Sequence, residues 1–126
     1  MCGIYAEFNL ENNFQVSSSE RTRIKSVLSG LRGKDYIGAW ESKDGSVLIF
    51  HSLLSISGEI KTIQPIKMRN KVLVFNGEIY SFGDLEKKST YQKRFPHNLK
   101  ISDTEKLTFC IEEFGFNETL LSINGM

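Results

Sequence analysis

The sequence predicts an α+β domain in which antiparallel sheets carry helices on their outer side. Short apolar runs bounded by turn residues, a pattern typical of strands, occupy most of the chain. Two other segments, residues 17–33 and 102–115, carry apolar residues at helical spacing behind a capping serine. Strands and helices do not alternate as they do in βαβ units, so we expect a mixed fold in which strands dominate.

The first half of the chain is expected to contain three strands and one helix. Residues 4–8 form a strand that starts almost at the first residue, and residues 11–13 follow as a turn. The helix occupies residues 17–33, where a serine-rich start precedes the apolar positions and a glycine ends them. Residues 36–42 and 46–51 then form two strands joined by a short turn.

The second half is expected to contain shorter elements and one further long helix. Residues 53–57 are extended, residues 72–75 form a buried strand, and residues 82–88 make one or two helical turns. Ser102 and Glu105 have the spacing of a capping box, in which each side chain binds the backbone N–H of the other residue. The long helix therefore begins at Ser102.

Length and composition exclude several classes of protein. With 126 residues the chain is one domain at most. Sixteen basic and fifteen acidic residues leave a formal net charge of +1, which gives no reason to expect nucleic acid or a charged membrane as partner. No apolar run is long enough to span a bilayer, and the N-terminus lacks the pattern of a signal peptide. Two cysteines, Cys2 and Cys110, form neither a disulfide framework nor a zinc motif. These features predict a cytoplasmic protein with reduced thiols.

Cys2 is a candidate nucleophile because it follows the initiator methionine directly. Removal of Met1 would give Cys2 a free amine, whose usual pKa of about 7.7–8.0 lies close to that of a thiol, about 8.5. One residue would then supply both the nucleophile and its general base. The alternative is that Cys2 is a small buried thiol at the start of a strand.

Short motifs spread over the chain give this candidate a context. They are Met1-Cys2-Gly3-Ile4, Arg32-Gly33-Lys34-Asp35, Gly38-Ala39-Trp40, His51 with Leu54-Ser55-Ile56, Gln64-Pro65, Asn76-Gly77-Glu78-Ile79-Tyr80, Ser102-Asp103-Thr104-Glu105, and Leu121 with Asn124-Gly125-Met126. Each motif alone is weak evidence, but their order along the chain is specific. Together they resemble class II glutamine amidotransferases, and among these the glutaminase domain of asparagine synthetase fits best.

The resemblance implies a fold of the N-terminal-nucleophile hydrolase type and a glutaminase reaction. Cys2 would attack the carboxamide of L-glutamine and release ammonia, leaving glutamate after hydrolysis. The side-chain amide of Asn76 and the backbone N–H of Gly77 would form the oxyanion hole, a role for which fixed donors suit well. From the residues alone, Asn-Gly between two apolar runs is first a hairpin turn, and the two interpretations are compatible.

Three further residues correspond to substrate-binding positions of the family. Asp103 would bind the α-ammonium group of glutamine, and Arg32 and Glu78 would line the same site. Each also has a purely structural interpretation. Asp103 lies in the predicted capping box, Arg32 follows a helix whose dipole a cation would offset, and Glu78 fits a solvated strand residue. His51 is interpreted as a structural hydrogen-bonding group without a catalytic role, and Cys110 as a core residue.

The chain departs from the family pattern in two ways. Leu53 stands where the family has an arginine that binds the substrate carboxylate, and leucine can supply neither charge nor hydrogen bonds. The chain also stops at Met126, so we expect residues 1–126 to be a truncated glutaminase domain. The synthetase domain, which uses ATP and Mg²⁺ in the family, is absent, and no cofactor is expected in this chain. A separate synthetase domain or self-association would then provide partners. The alternative is a catalytically impaired remnant that acts as an interaction module or has no function.

Overall fold

A computed structural model describes residues 1–9, 16–55, 62–94 and 100–126 of the chain. The predicted turn at residues 11–13 lies outside the described residues. The described residues form two compact units. The first unit contains those within residues 1–55, 63–67 and 71–76, and the second contains Thr62 together with residues 68–70 and those described between 77 and 126. Each unit is described by itself.

A three-stranded antiparallel sheet forms the centre of the first unit. Its strands are β1 (Gly3–Phe8), β2 (Tyr36–Glu41) and β3 (Val47–Leu53), with β3 hydrogen-bonded between the other two. The sequence prediction of these three strands is confirmed. Every residue from Leu48 to Leu53 is buried, as expected for a central strand with both neighbours in place. The sheet therefore gives the residues at the end of β3 a fixed position.

One helix, α1 (Ser18–Leu31), belongs to the first unit and lies between β1 and β2 in the chain. A complete capping box starts it: Glu20 N–H donates to Ser17 Oγ at 3.2 Å, and Ser17 N–H donates to Glu20 Oε2 at 3.0 Å. None of its residues is fully buried, although the amine of Lys25 lies 5.5 Å from the ring centroid of Phe50 on β3. The predicted helix and its start are thus confirmed.

The remaining strands of the first unit are short. β4 (Ile66–Lys67) pairs antiparallel with β5 (Val72–Leu73). The prediction of a buried strand over residues 72–75 is wrong in two respects, since the strand ends at Leu73 and all four residues are only half-buried. Beyond Leu73 the backbone of Phe75 bonds to side chains and leaves the ladder.

The second unit is mainly helical. Its elements are β6 (Ile79–Ser81), α2 (Leu85–Lys88), α3 (Tyr91–Arg94), α4 (Asp103–Phe114), α5 (Phe116–Ser122) and β7 (Asn124–Gly125). β6 and β7 pair antiparallel. The buried apolar residues of this unit are Met68, Phe82, Leu85, Tyr91, Leu107, Cys110 and Ile111. The predicted helical turns within residues 82–88 and the long helix after Ser102 are confirmed.

Three sequence predictions are corrected in this part of the chain. Asn76-Gly77 is not a hairpin turn, because β5 pairs with β4 and β6 pairs with β7. Ser102 caps α4 by accepting from Glu105 N–H at 3.1 Å, but the Glu105 carboxylate accepts from Thr62 Oγ at 3.1 Å instead of completing the capping box. Strands do not dominate, since more of the described residues lie in helices. The α+β class with antiparallel sheets is confirmed. Within the described ranges no helix combines the length and apolarity needed to cross a membrane.

Candidate functional site

The backbone nitrogen of Cys2 and the side chain of Asn76 meet in the first unit. Cys2 is half-buried just before β1, and its N–H donates to Asn76 Oδ1 at 3.1 Å although the two residues are 74 positions apart. A backbone N–H can only donate, so the oxygen of the amide must face it. The two N–H groups on Asn76 Nδ2 are therefore directed away from the Cys2 nitrogen.

The thiol of Cys2 lies against the backbone of Leu54, the residue that follows β3. Leu54 N–H donates to Cys2 Sγ at 3.4 Å, and the thiol can donate to the Leu54 carbonyl oxygen at 3.8 Å. An N–H directed at sulfur stabilises negative charge on that atom, as hydrogen bonds to ionised acceptors do generally. The carbonyl oxygen in turn suits the protonated thiol, so the Leu54 backbone can contact Cys2 Sγ in either form.

Asp35 fixes the peptide groups on both sides of Leu54. Its N–H donates to the Leu53 carbonyl oxygen at 2.9 Å, and its Oδ2 accepts from Ser55 N–H at 2.7 Å. The side chain of Leu53 is buried on β3, with 7% of its surface exposed. Leu53 thus immediately precedes the residue whose backbone contacts Cys2 Sγ.

Arg32 lies at the end of α1, where its backbone N–H donates to the Leu28 carbonyl oxygen at 2.8 Å. The side chain is exposed, and its Cβ lies beside the backbone of Gly3, which follows Cys2. The next residue, Gly33, has a φ of +47° and lies so close to the Ser52 carbonyl group that a Cβ would overlap it. The structure therefore brings Arg32 to the first unit's N-terminal strand, in the neighbourhood of Cys2.

The backbone of Phe75, the residue before Asn76, is held by two buried side chains. Phe75 N–H donates to Gln64 Oε1 at 2.6 Å, and His51 Nε2 lies 3.3 Å from the Phe75 carbonyl oxygen. Both side chains are almost completely inaccessible to solvent. Burial lowers the pKa of His51, and the hydrogen bond to Phe75 only partly opposes this. His51 is therefore neutral at neutral pH, with its hydrogen on Nε2, since a carbonyl oxygen only accepts.

The other predicted site residues belong to the second unit. Gly77 and Glu78 are exposed, and the backbone of Glu78 pairs with Met126 through two hydrogen bonds of 2.9 Å. Asp103, at the start of α4, accepts from Ile79 N–H at 3.2 Å through Oδ2 and from Thr104 N–H at 2.8 Å through Oδ1. The carboxylate of Asp103 is thus fixed next to the strand that begins after Glu78.

Cys110 is separate from these groups. It is fully buried on α4, and burial, reinforced by the nearby Glu113 carboxylate, raises the pKa of its thiol to about 11. The thiol therefore stays protonated, as the sequence prediction of a core residue implies. Among the residues with described positions, no group of three or more histidine, cysteine or carboxylate side chains is arranged to hold a metal ion.

A groove of about 470 Å³ lies between α1 and β1 in the first unit. It is lined by apolar residues of α1 and by Tyr5 and Glu7 of β1. The Tyr5 hydroxyl donates to the Glu7 carboxylate, which raises the pKa of Tyr5 to about 12. No predicted site residue lines this groove, so it is not part of the candidate site.

Sequence reasoning missed three contributors to the site. The Leu54 backbone, the Asp35 carboxylate and the Gln64 side chain all lie within motifs that the resemblance singles out, but no role was assigned to them. For each of these three residues, the available sequence signal was its position within one of these motifs. A backbone donor such as Leu54 N–H has no sequence signature of its own, because every residue except proline carries one.

Comparison with known proteins gives one result that covers the whole chain. The family model described as "Glutamine amidotransferase domain" matches residues 1–126. No curated protein and no solved structure matches the chain. A match over the full length, together with the meeting of Cys2 and Asn76, leads to one conclusion: the chain belongs to the glutamine amidotransferase domain family.

Proposed function

We propose that this chain hydrolyses L-glutamine to glutamate and ammonia as a class II glutaminase domain of the N-terminal-nucleophile type. Family membership implies glutamine as the substrate. The observation that carries the proposal is the hydrogen bond from Cys2 nitrogen to Asn76 Oδ1. It joins the residue that would supply the nucleophile and base to the residue that would stabilise the oxyanion.

Removal of Met1 would convert the Cys2 nitrogen into a free amine. Asn76 Oδ1 would continue to accept one hydrogen of that amine, which restricts the direction of its lone pair. The neutral amine would then take the thiol proton, and the Leu54 N–H would support the resulting thiolate. Cys2 would thus need no histidine as its base.

The reaction would proceed through two tetrahedral intermediates. Cys2 Sγ forms a bond to the carboxamide carbon of glutamine, and the carbonyl oxygen becomes an oxyanion that accepts from Asn76 Nδ2 and from the Gly77 N–H. The Cys2 ammonium returns its proton to the leaving nitrogen, the C–N bond breaks, and ammonia departs from a thioester. A water molecule then attacks the thioester and gives a proton to the Cys2 amine; the C–S bond breaks, this proton passes to the Cys2 sulfur, and glutamate leaves. Loss of one oxyanion donor typically lowers the rate about 10²–10³-fold.

Substrate binding is proposed for Arg32, Glu78 and Asp103, on the strength of the resemblance. Both Asp103 oxygens already accept backbone hydrogen bonds, which fix the carboxylate. The resemblance implies that this fixed carboxylate would bind the α-ammonium group of glutamine. A charged pair of this kind provides orientation as well as affinity.

The best-fitting subtype is the asparagine-synthetase type. In such a parent, ammonia from this domain would react with an aspartyl adenylate that a separate synthetase domain makes from ATP and Mg²⁺. That domain would be the natural partner of this chain, and a reducing cytoplasm would keep Cys2 active. The motif order along the chain supports this subtype.

Leu53 favours a second candidate function, that of a catalytically impaired copy that serves as an interaction module. Its buried apolar side chain offers no cation to the substrate carboxylate. One charge-assisted hydrogen bond contributes about 1.5–3 kcal/mol, so glutamine should bind one to two decades more weakly than with an arginine present. Titration calorimetry of wild type and Leu53→Arg would measure this, and equal affinities would show that the position does not contact the carboxylate.

The proposed reaction is tested by intact-mass measurement and an ammonia-release assay. We expect the purified protein to lack Met1 and to release ammonia from glutamine, and Cys2→Ser to reduce the rate to background. Cys110→Ser is the matched control, because it removes the other thiol without touching the site. Retention of Met1 on essentially all molecules, or equal ammonia release by Cys2→Ser, would contradict the mechanism.

A further inference from the structure

The peptide backbone at Phe75 is held in an unusual way. β5 ends at Leu73, so the polar backbone groups of Phe75 have no strand partner. Its N–H donates to Gln64 Oε1 at 2.6 Å, and its carbonyl oxygen lies 3.3 Å from His51 Nε2. Gln64 is 2% exposed and His51 is 0% exposed. The side chains of Gln64 and His51 thus bind the N–H and the carbonyl group of Phe75 in place of neighbouring strands.

His51 and Gln64 both lie next to Gly38 of β2. His51 is the direct partner of Gly38 in the β2–β3 ladder. The backbone of Gln64 lies against Gly38 so closely that a Cβ there would overlap the Gln64 carbonyl oxygen. Glycine at position 38 therefore lets the Gln64 segment approach beside His51. The two motifs Gly38-Ala39-Trp40 and Gln64-Pro65 meet here, and together they supply the support for Phe75.

The contact made by His51 Nε2 explains how the ring is oriented, as the surroundings of the other ring nitrogen, Nδ1, indicate. With the hydrogen on Nε2, Nδ1 is a buried acceptor, and it has no hydrogen-bond partner among the described residues. A buried unpaired acceptor is costly and calls for a reason. The bond to the Phe75 carbonyl oxygen is the one polar contact of the ring that the described part of the chain provides.

We propose that His51 and Gln64 are positioning residues that hold the Phe75 peptide and thereby keep the Asn76 amide against the Cys2 nitrogen. Asn76 is itself exposed and follows Phe75 directly, so its approach to Cys2 depends on where that peptide lies. The consequence for catalysis rests on the proposed glutaminase function. The proposed effect on structure does not rest on that function, because it concerns only the position of the Asn76 side chain.

Four variants of the full chain separate the possibilities. His51→Leu removes the donor to Phe75, whereas His51→Gln keeps an N–H group near the Nε2 position. Gln64→Met removes the acceptor at similar side-chain length. Ser52→Ala is the matched control, because Ser52 is the next residue of β3, is equally buried and faces the other side of the sheet.

The structural measurement is nuclear magnetic resonance of ¹⁵N-labelled protein, with the Asn76 side-chain signals assigned by their loss in Asn76→Asp. We expect His51→Leu and Gln64→Met to move the Asn76 amide signals toward those of a free side chain. Gln64→Met should also accelerate hydrogen exchange at Phe75 N–H by at least about tenfold, the equivalent of one lost hydrogen bond. His51→Gln and Ser52→Ala should leave the Asn76 signals in place. Unmoved Asn76 signals in His51→Leu would overturn the proposal.

The kinetic measurement tests the consequence for the reaction. We expect kcat for ammonia release to fall about tenfold or more in His51→Leu and Gln64→Met with KM within twofold, and His51→Gln to restore it. A rise in KM alone, or an equal fall in Ser52→Ala, would contradict a positioning role. If the wild type releases no ammonia in a Cys2-dependent way, the proposed function fails, while the Asn76 signals still decide whether His51 and Gln64 position this side chain.

Discussion

β3 and residues 74–76 both reach the Cys2 region of the first unit, but they are held there by different means. β3 is paired with a strand on each side along residues 48–52, and its backbone fixes the position of Leu54. Residues 74–76 belong to no strand, and the Phe75 peptide depends on the side chains of Gln64 and His51. A pair of β-strands tolerates side-chain substitutions because its hydrogen bonds join backbone atoms. A segment held by side chains depends on the identity of particular residues.

Gly38→Ala should disturb the position of residues 74–76 more strongly than the other substitutions. The new Cβ would overlap the Gln64 carbonyl oxygen, so backbone must move and carry the Gln64 side chain away from Phe75. We expect a loss of about 3 kcal/mol or more of unfolding free energy, together with loss of ammonia release. Urea unfolding measures the first effect.

Gly30→Ala is the control for that substitution. Gly30 lies inside α1, and a Cβ there would meet nothing within 4 Å. The same chemical change should therefore stabilise the protein, by about 0.5–1 kcal/mol, since alanine is the better helix former. Destabilisation by Gly30→Ala as large as that by Gly38→Ala would show that the close approach to Gln64 is not the cause.

A double-mutant cycle between His51→Leu and Gln64→Met tests whether the two side chains act together on the backbone of Phe75. Each single change should cost about 1–3 kcal/mol, because it leaves one polar group of Phe75 without its partner. Once one contact is lost the other holds a displaced peptide, so the double variant should lose less than the sum of the two losses. Strict additivity in urea unfolding would contradict a shared role.

The pH dependence of stability offers a further test of His51. Burial lowers its pKa in the folded chain below the unfolded value of about 6.5. The unfolded chain therefore binds this proton first as the pH falls, and the free energy of unfolding decreases through and below pH 6.5. Above that pH the group contributes no slope. His51→Gln should remove this part of the decrease between pH 7 and pH 5, and an unchanged pH profile would contradict it.

The smallest effect is expected for Ser52→Ala, on the ladder-held strand. Ser52 Oγ is buried and has no hydrogen-bond partner within the ranges that the structure describes, while its backbone pairs with Gly3 and Ile37. Removing this hydroxyl should change the free energy of unfolding by less than about 0.5 kcal/mol or raise it, because an unpaired buried hydroxyl contributes cost without benefit. A loss above 1 kcal/mol would mean that the strand also relies on this side chain.

The parts of the fold that could be predicted are those that local sequence determines. The capping box of Ser17 and Glu20 marks the start of α1, and a short turn joins β2 to β3. Asn76-Gly77 misled the prediction because its strongest local meaning is a hairpin. The actual partner of β6 is β7, more than forty residues along the chain, and two-residue strands carry no periodicity from which such a pairing could be read.

The candidate site likewise contains residues that could be predicted from the sequence and contacts that could not. Cys2 and Asn76 could be predicted as a pair because the proposed reaction would require those residue types, and the structure brings them within hydrogen-bond distance. The contacts that hold Cys2 and Asn76 in place could not be predicted from the sequence. Leu54 acts through its backbone, and Gln64 reaches Phe75 from a segment whose close approach to β2 requires glycine at position 38. Such contacts follow from the three-dimensional arrangement, and a residue type alone does not indicate them.

The burial of Cys110 has a practical consequence. Each compact unit carries one cysteine, with Cys2 half-buried in the first and Cys110 fully buried in the second. A thiol reagent applied to the native chain at neutral pH should therefore modify Cys2 first, because Cys110 is both inaccessible and protonated. Labelling of Cys110 then requires opening of the helical unit, and its rate reports how often that unit opens. The unmodified sequence thus provides an independent reporter for each unit, without any engineered probe.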